Sequence, residues 1–112
     1  MNRALPTLLL LLLNTQAQAE KTYTANELHR MIGNGQYPPE GVESSTSKPM
    51  EFAACRATAE GIISQIKGHY PIQIKVNDSS YYSVKTWTND GSVTASCSKF
   101  TEVLILAQAP YQ

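Results

Sequence analysis

The chain has 112 residues, of which nine are Lys or Arg and nine are Asp or Glu, so its formal net charge at neutral pH is zero. The basic residues are scattered singly, which excludes the basic cluster that tracks a phosphate backbone or an anionic lipid surface. We therefore expect no nucleic-acid partner and, from the length, one small domain.

Residues 1–19 have the pattern of a secretory signal. Arg3 precedes an apolar run from Ala4 to Leu13, and Ala17-Gln18-Ala19 follows as a cleavage site. An apolar helix of about ten residues rises only about 15 Å, roughly half the hydrocarbon thickness, so cleavage is favoured over anchoring. We expect residues 20–112 to be one exported domain of the bacterial cell envelope, periplasmic or extracellular and free of the membrane.

A short first helix is predicted after residue 24. Thr24 to Glu27 has the form of a capping box, in which a hydroxyl and a carboxylate satisfy free backbone N–H groups at a helix start. Leu28, Met31 and Ile32 then fall on one apolar face. Gly33 favours an early end, so the helix has two or three turns.

The segment from Gln36 to Ser47 is predicted to be the longest loop. Its prolines, its glycine and its run of hydroxyl residues favour extended or turning backbone. We interpret it as a connector; the alternative is a recognition loop stiffened by two prolines.

A longer second helix is predicted next. Pro49 suits its first turn, Glu51 complements the helix dipole, and Gly68 favours its end. Apolar residues recur at steps of three and four and form one stripe. The stripe consists of Phe52, Cys55, Ala59, Ile62, Ile63 and Ile66.

From Ile72 the apolar period changes to two, which predicts antiparallel strands. Ile72 to Asn77 and Tyr81 to Thr88 are joined by a turn at Asp78 to Ser80. Asp90-Gly91 predicts a second hairpin, and Val103 to Ala107 a fourth strand. Whether that fourth strand lies at an edge stays open. The predicted partners are Thr86 with Ala95, Val84 with Cys97, Ile72 with Thr86, Ile74 with Val84, and Val76 with Tyr82.

The two cysteines are predicted to form a disulfide. Cys55 lies on the apolar stripe of the second helix, and Cys97 lies on the sheet face that must cover that stripe. An exported chain of this size leaves few thiols free, and no short zinc-ligand spacing or CxxC motif is present. The predicted fold class is α+β in two layers: two helices followed by a three- or four-stranded antiparallel meander.

The sequence contains no arrangement typical of an active site. His29 and His69 are interpreted as surface or helix-capping residues, and no nucleophile motif, paired-acid motif or glycine-rich phosphate loop occurs. We expect no catalytic residue, no metal and no cofactor.

A protein-binding surface is predicted on the sheet side that faces away from the long helix. Tyr and Trp are enriched where proteins bind one another, and Tyr81 and Trp87 are expected to be exposed there. The alternative is that the proline-rich segment or the C-terminal residues fold over this side. The candidate contact residues are Tyr81, Lys85, Trp87, Tyr37, Pro38 and Pro39.

The sequence therefore predicts a non-catalytic module that binds a protein partner. The leading hypothesis is an inhibitor or immunity-like protein, which would insert a loop, Gly35 to Glu43, into a cleft of its target. The alternative is an accessory subunit of an envelope assembly or secretion or conjugation machine, which would use the flat sheet face. A small secreted hydrolase is third and predicts turnover that depends on His29 or His69. Neither the partner's identity nor the oligomeric state follows from the sequence.

Overall fold

The computed structural model describes residues 21–112. The predicted signal peptide, residues 1–19, and the predicted new N-terminus at Glu20 lie outside the described residues. The elements in chain order are α1 (Ala25–Gly33), β1 (Ser44–Pro49), α2 (Phe52–Ile66), β2 (Ile72–Asn77), β3 (Tyr81–Thr88), β4 (Gly91–Ser98) and β5 (Val103–Pro110).

Five strands form one antiparallel sheet in the order β1-β5-β4-β3-β2. Strands β2 to β5 form the predicted meander. Strand β1 adds to its far side, so β5 is an interior strand and the free edges belong to β1 and β2. The α+β class and the order of helices before the meander are confirmed, and the sheet has one strand more than predicted.

Strand β1 corrects the prediction of a loop from Gln36 to Ser47. Its sequence, Ser-Ser-Thr-Ser-Lys-Pro, has no apolar alternation, and all six residues are exposed. It pairs in continuous register along β5, from Ser44 opposite Gln108 to Pro49 opposite Val103. The eight residues of β5 would otherwise leave one edge of their backbone N–H and C=O groups without partners, so tertiary pairing outweighs the low strand propensity.

The boundaries of α2 also differ from the prediction. Pro49 is the last residue of β1, not the first turn of the helix, and α2 begins at Phe52 with Glu51 as its N-cap. Gly68 has a positive φ of 95° just beyond the helix, as expected for a residue that ends one.

The main core lies between α2 and one side of the sheet. Cys55, Ala59 and Ile63 of the helix are buried against side chains of β3, β4 and β5. Cys55 and Cys97 form the predicted disulfide, with a Cα–Cα distance of 5.8 Å. Because the two cysteines connect helix to sheet, the bond crosslinks the two layers. The sheet members of this core are Tyr82, Val84, Ala95, Cys97 and Leu104.

The β3–β4 hairpin keeps the predicted sheet faces but shifts its register. Thr88 pairs with Gly91, so Asn89 and Asp90 occupy the turn in place of Asp90 and Gly91. A Cβ at position 91 would collide with the carbonyl oxygen of Ala109, so Gly91 is needed for close packing on β5 and not for a left-handed turn. The predicted pairs Thr86 with Ala95 and Val84 with Cys97 are therefore wrong. The observed pairs are Thr86 with Val93, Val84 with Ala95, and Tyr82 with Cys97.

The β2–β3 hairpin follows the prediction at its start and departs from it at a bulge. Ile72 pairs with Thr86 and Ile74 with Val84, as expected. The register then shifts between Ile74 and Val76, so Val76 pairs with Ser83 and not with Tyr82. Paired residues point to the same side of a sheet, so the bulge turns Val76 away from α2.

The first helix confirms its capping box. The Thr24 backbone donates to the Glu27 carboxylate at 2.8 Å, and the Glu27 backbone donates to the Thr24 hydroxyl at 3.1 Å. Leu28 and Ile32 are buried and pack with Trp87 and Tyr111 in a second, smaller core. In residues 21–112, neither helix combines the length and the hydropathy needed to span a bilayer.

Candidate partner-binding face

The outer face is the side of the sheet that faces away from α2. On β3 the side chains of Tyr82, Val84 and Thr86 point toward α2 and are buried. Their neighbours in the alternating pattern therefore point to the outer face. From β2 to β5 and then β1, this face carries Val76, Tyr81, Ser83, Lys85, Trp87, Ser96, Ile105, Ser45 and Ser47.

Trp87 lies on the outer face but is covered. It is 1% exposed, which contradicts the prediction of an exposed tryptophan. The ring of Tyr37 packs on it, with 5.5 Å between ring centroids, and α1 closes another side through Leu28 and Ile32. The alternative that the proline-rich segment folds over this face is therefore the observed one.

The covering segment, Tyr37 to Glu40, is held by several polar contacts and is called the strap below. Lys85 Nζ lies 2.9 Å from Glu40 Oε2, and the Gln73 side-chain amide donates to the Tyr37 hydroxyl at 3.0 Å. The backbone of Gln112 donates to the Pro39 carbonyl at 2.9 Å. Within the strap, Pro38 is buried and Pro39 is exposed.

Two lysines lie against the aromatic rings of this end. Lys85 Nζ is 5.2 Å and Lys75 Nζ 5.7 Å from the centre of the Trp87 ring, within cation–π range. The indole N–H of Trp87 is buried and has no acceptor among the described residues. Trp87 thus acts as a packing residue, and of the predicted contact set Tyr37 and Lys85 lie against its ring.

The opposite end of the outer face is open. Tyr81 is 46% exposed, as predicted, and its ring lies 5.7 Å from that of Phe100, which is 70% exposed. Val76 is 40% and Ile105 38% exposed. We call these four residues the open patch: they are contributed by β2, β3, the β4–β5 turn and β5.

Hydroxyl side chains occupy the sheet surface between the members of the open patch. Ser83 and Ser96 lie opposite each other with their Oγ atoms 3.1 Å apart. Ser98 faces Tyr81 across the same pair of strands. Ser47 of β1 faces Ile105. The centre of this region is therefore flat and uncharged, and its side chains are small.

The two turns that flank the open patch are held by side-chain hydrogen bonds. The Asp78 carboxylate accepts from the backbone N–H groups of Ser80 at 2.8 Å and Tyr81 at 2.9 Å. These two bonds hold the pKa of Asp78 below its ordinary value of 3.8. In the other turn the Ser98 hydroxyl accepts from the backbone of Phe100 at 3.1 Å. Tyr81 and Phe100 are thereby presented on constrained backbone.

Sequence reasoning found Tyr81 but missed the other three members of the open patch. The alternation along β2 predicts Val76 on the inner face, because a bulge has no clear sequence signal. Phe100 lies in a turn, outside any periodic segment. Ile105 was detectable, since it alternates with the buried Leu104 on β5, but the short apolar run was not assigned faces.

An open cleft of about 630 Å³ lies elsewhere, at the β3–β4 turn end of the sheet. Val42, which is 89% exposed, stands at its side. Asp90 is the one charged side chain in its lining, which otherwise consists of hydroxyl, amide, apolar and glycine residues. Its lining comes from the segment before α1 and from β1, β3, β4 and β5, through Thr22, Ser44, Thr88, Val93 and Gln108.

The two histidines, which sequence reasoning treated separately, are neighbours. His29 Nε2 lies 3.1 Å from the backbone oxygen of His69, and both residues are exposed. Within residues 21–112, no three His, Cys, Asp or Glu side chains come together in a way that could hold a metal ion.

No protein-family model, curated protein or solved structure matches this chain. What bears on its function is the arrangement of its own side chains.

Proposed function

We propose that this chain is a non-catalytic, exported protein-binding module that holds its partner against the open patch of the outer face. The observation that carries the proposal is the exposed pair Tyr81 and Phe100, whose ring centroids lie 5.7 Å apart. The exposed Val76 and Ile105 lie on the same face, separated from each other by serines. Exposed aromatic side chains that contact each other within a polar surround are typical of interaction sites in soluble proteins.

The composition of the patch supports a protein partner. Interface cores are depleted in charged residues and enriched in aromatic ones. The sheet surface between Tyr81 and Ile105 carries serines and no charged side chain. A partner that covers it desolvates two aromatic rings without burying an unpaired charge. Binding free energy is concentrated in such fully desolvated aromatic contacts.

The rigidity of the patch supports the same proposal. The rings of Tyr81 and Phe100 pack against each other, and their turns are held by Asp78 and Ser98. Because little backbone freedom remains to be lost, a smaller part of the contact energy is spent on ordering the site.

The flat contact favours an accessory subunit of an envelope assembly over a loop-inserting inhibitor. An inhibitor of the second kind needs residues 35–43 to project, whereas the strap from Tyr37 to Glu40 packs on Trp87 and pairs with Lys85. Because the strap is held against the sheet and does not project, the open patch is the surface that we expect a partner to contact.

The inhibitor or immunity-like function remains the second candidate because of Val42. This side chain is 89% exposed beside the open cleft, between the strap and β1. A single projecting apolar residue is what a loop would insert into a target's pocket.

The test is affinity capture from the native host. The chain is expressed from its own leader with a tag after Gln112, which is exposed, and co-purifying proteins are quantified by mass spectrometry. The wild type is compared with the double variant Tyr81→Ser/Phe100→Ser and with Val42→Ser. Ile74→Thr is the matched control, because Ile74 is 55% exposed but points to the α2 side of the sheet.

The proposal predicts one partner that is captured by the wild type, Ile74→Thr and Val42→Ser and is lost with the double variant. Loss with Val42→Ser alone would replace it by the inhibitor function. Capture that survives both changes, or no specific capture by the wild type, would contradict the assigned surface.

A further inference from the structure

We infer that two copies of this chain pair through the free edges of their β1 strands and form a symmetric dimer with one continuous sheet. The inference concerns an edge of the sheet, not the open patch, and does not require the proposed function to be correct.

The two free edges of the sheet differ in how far they permit pairing. Strand β2 carries a bulge between Ile74 and Val76, with Lys75 at its centre, and bulges and lysines are features that block edge-to-edge pairing. Strand β1 has neither within Ser44 to Ser47. Its register with β5 is unbroken and all its residues are exposed.

The phase of the β1–β5 ladder shows which backbone groups face outward. The backbone N–H of Met50 donates to the carbonyl of Glu102 at 2.8 Å, and alternate residues of an antiparallel strand bond to the same neighbour. Lys48, Thr46 and Ser44 therefore bond toward β5. The N–H and C=O groups of Ser45 and Ser47 point to the free edge.

Strand β1 can pair with an antiparallel copy of itself. A two-fold axis perpendicular to the sheet at Thr46 places Ser45 opposite Ser47 of the second copy and Ser47 opposite Ser45. Both pairs consist of outward-pointing residues, so each exchanges two N–H···O bonds. Thr46 faces its own copy, a favourable cross-strand pair.

Side chains do not oppose this register. Every pair between Ser45 and Ser47 joins small hydroxyl residues, and Lys48 lies opposite Ser44 of the second copy, not opposite another lysine. Pro49 lacks an N–H and limits the pairing to this short segment. A second copy thus meets the edge without a charge conflict.

The symmetry determines how the dimer presents its surfaces. An axis perpendicular to the sheet leaves the α2 layers of both copies on one side and both outer faces on the other. The dimer therefore joins the five strands of each copy and carries two open patches facing the same way. A partner with two equivalent sites would bind it with higher avidity than the monomer.

The experiment is sedimentation equilibrium of the oxidised domain combined with backbone amide exchange by NMR. The contact is small and polar, so we expect a dissociation constant on the order of 0.1 mM. Amide exchange at Ser45 and Ser47 should slow as the protein concentration rises to about 1 mM.

Ser47→Pro is the test variant and Ser47→Ala its control. Proline removes an N–H that points outward, so the β1–β5 ladder is retained, and circular dichroism and the intact disulfide report that the fold is kept. We expect Ser47→Pro to weaken dimerisation about tenfold or more, and Ser47→Ala to leave it unchanged.

A wild type that stays monomeric at about 1 mM would overturn the inference. So would a dimer that Ser47→Pro does not weaken, since it must form through another surface. Protection of Ser45 and Ser47 only by a captured protein would assign the edge to that partner instead of a second copy. A monomeric wild type, or a dimer that Ser47→Pro does not weaken, leaves the Tyr81→Ser/Phe100→Ser capture test unaffected.

Discussion

Removing the disulfide between Cys55 and Cys97 is the perturbation whose effect the structure predicts most sharply. The bond links α2 to β4 across a sequence separation of 42 residues. Both cysteines are buried in the main core, so the pair Cys55→Ala/Cys97→Ala removes the crosslink and two core sulfur atoms.

The expected loss follows from the chain that the bond restrains. A closed loop of about 43 residues lowers the entropy of the unfolded chain by an amount worth about 4 kcal/mol at 25 °C. A domain of this size has a free energy of unfolding of about 5 to 14 kcal/mol. The crosslink therefore accounts for about 30% of the free energy of unfolding, or more.

Urea unfolding followed by circular dichroism measures this loss. The transition midpoint should fall by about 2 to 4 M for the double variant. Wild type reduced under native conditions is the control, because it keeps both sulfur atoms and should lose nearly as much. If both lose less than about 1 kcal/mol, the loop-entropy argument is refuted; a loss confined to the double variant would assign the effect to packing.

Three further predictions concern single features. Tyr37→Ser should raise acrylamide quenching of Trp87, the one tryptophan, because the covering ring is lost, whereas Tyr81→Ser should leave quenching unchanged. Gly91→Ala should lower the free energy of unfolding by about 1 to 3 kcal/mol, measured in urea, because a Cβ there collides with β5. Asp78 has a lowered pKa in the folded state, so its stabilisation is present above pH 3.8 and is lost as the pH falls through the folded value. The difference in urea midpoint between wild type and Asp78→Asn should therefore shrink toward pH 2, and a pH-independent difference would contradict this.

Local patterns were sufficient to predict the long helix, the meander and the disulfide. The apolar stripe of α2 and the alternation on β3 each assign a buried side, and Cys55 and Cys97 fall on the two sides that must meet. These assignments depend on periods of a few residues, which the sequence displays directly.

Features that depend on distant partners were not predictable. Strand β1 forms because β5 presents an open edge, although its serines carry no strand signal. Trp87 is buried because Tyr37, fifty positions earlier in the chain, returns to stack on it. An aromatic on the outer face has the same local pattern whether it is covered or free.

For the same reason, the sequence predicts only part of the candidate site. Tyr81 was identified from the strand pattern and the exposed aromatic that it predicts. Val76 reached the outer face through the bulge after Ile74, and Phe100 was added by a turn. The predicted contacts Tyr37 and Pro38 belong instead to the segment that covers Trp87.

The most direct test of the open patch as a partner-binding surface is site-specific photo-crosslinking in the native host. A photoreactive residue is placed at Phe100, in the patch, and in a separate variant at Ile74, which is also exposed but lies on the α2 side of the sheet. Binding through the patch predicts one discrete crosslinked protein from position 100 and none from position 74. No product from position 100, or the same products from both positions, would contradict it.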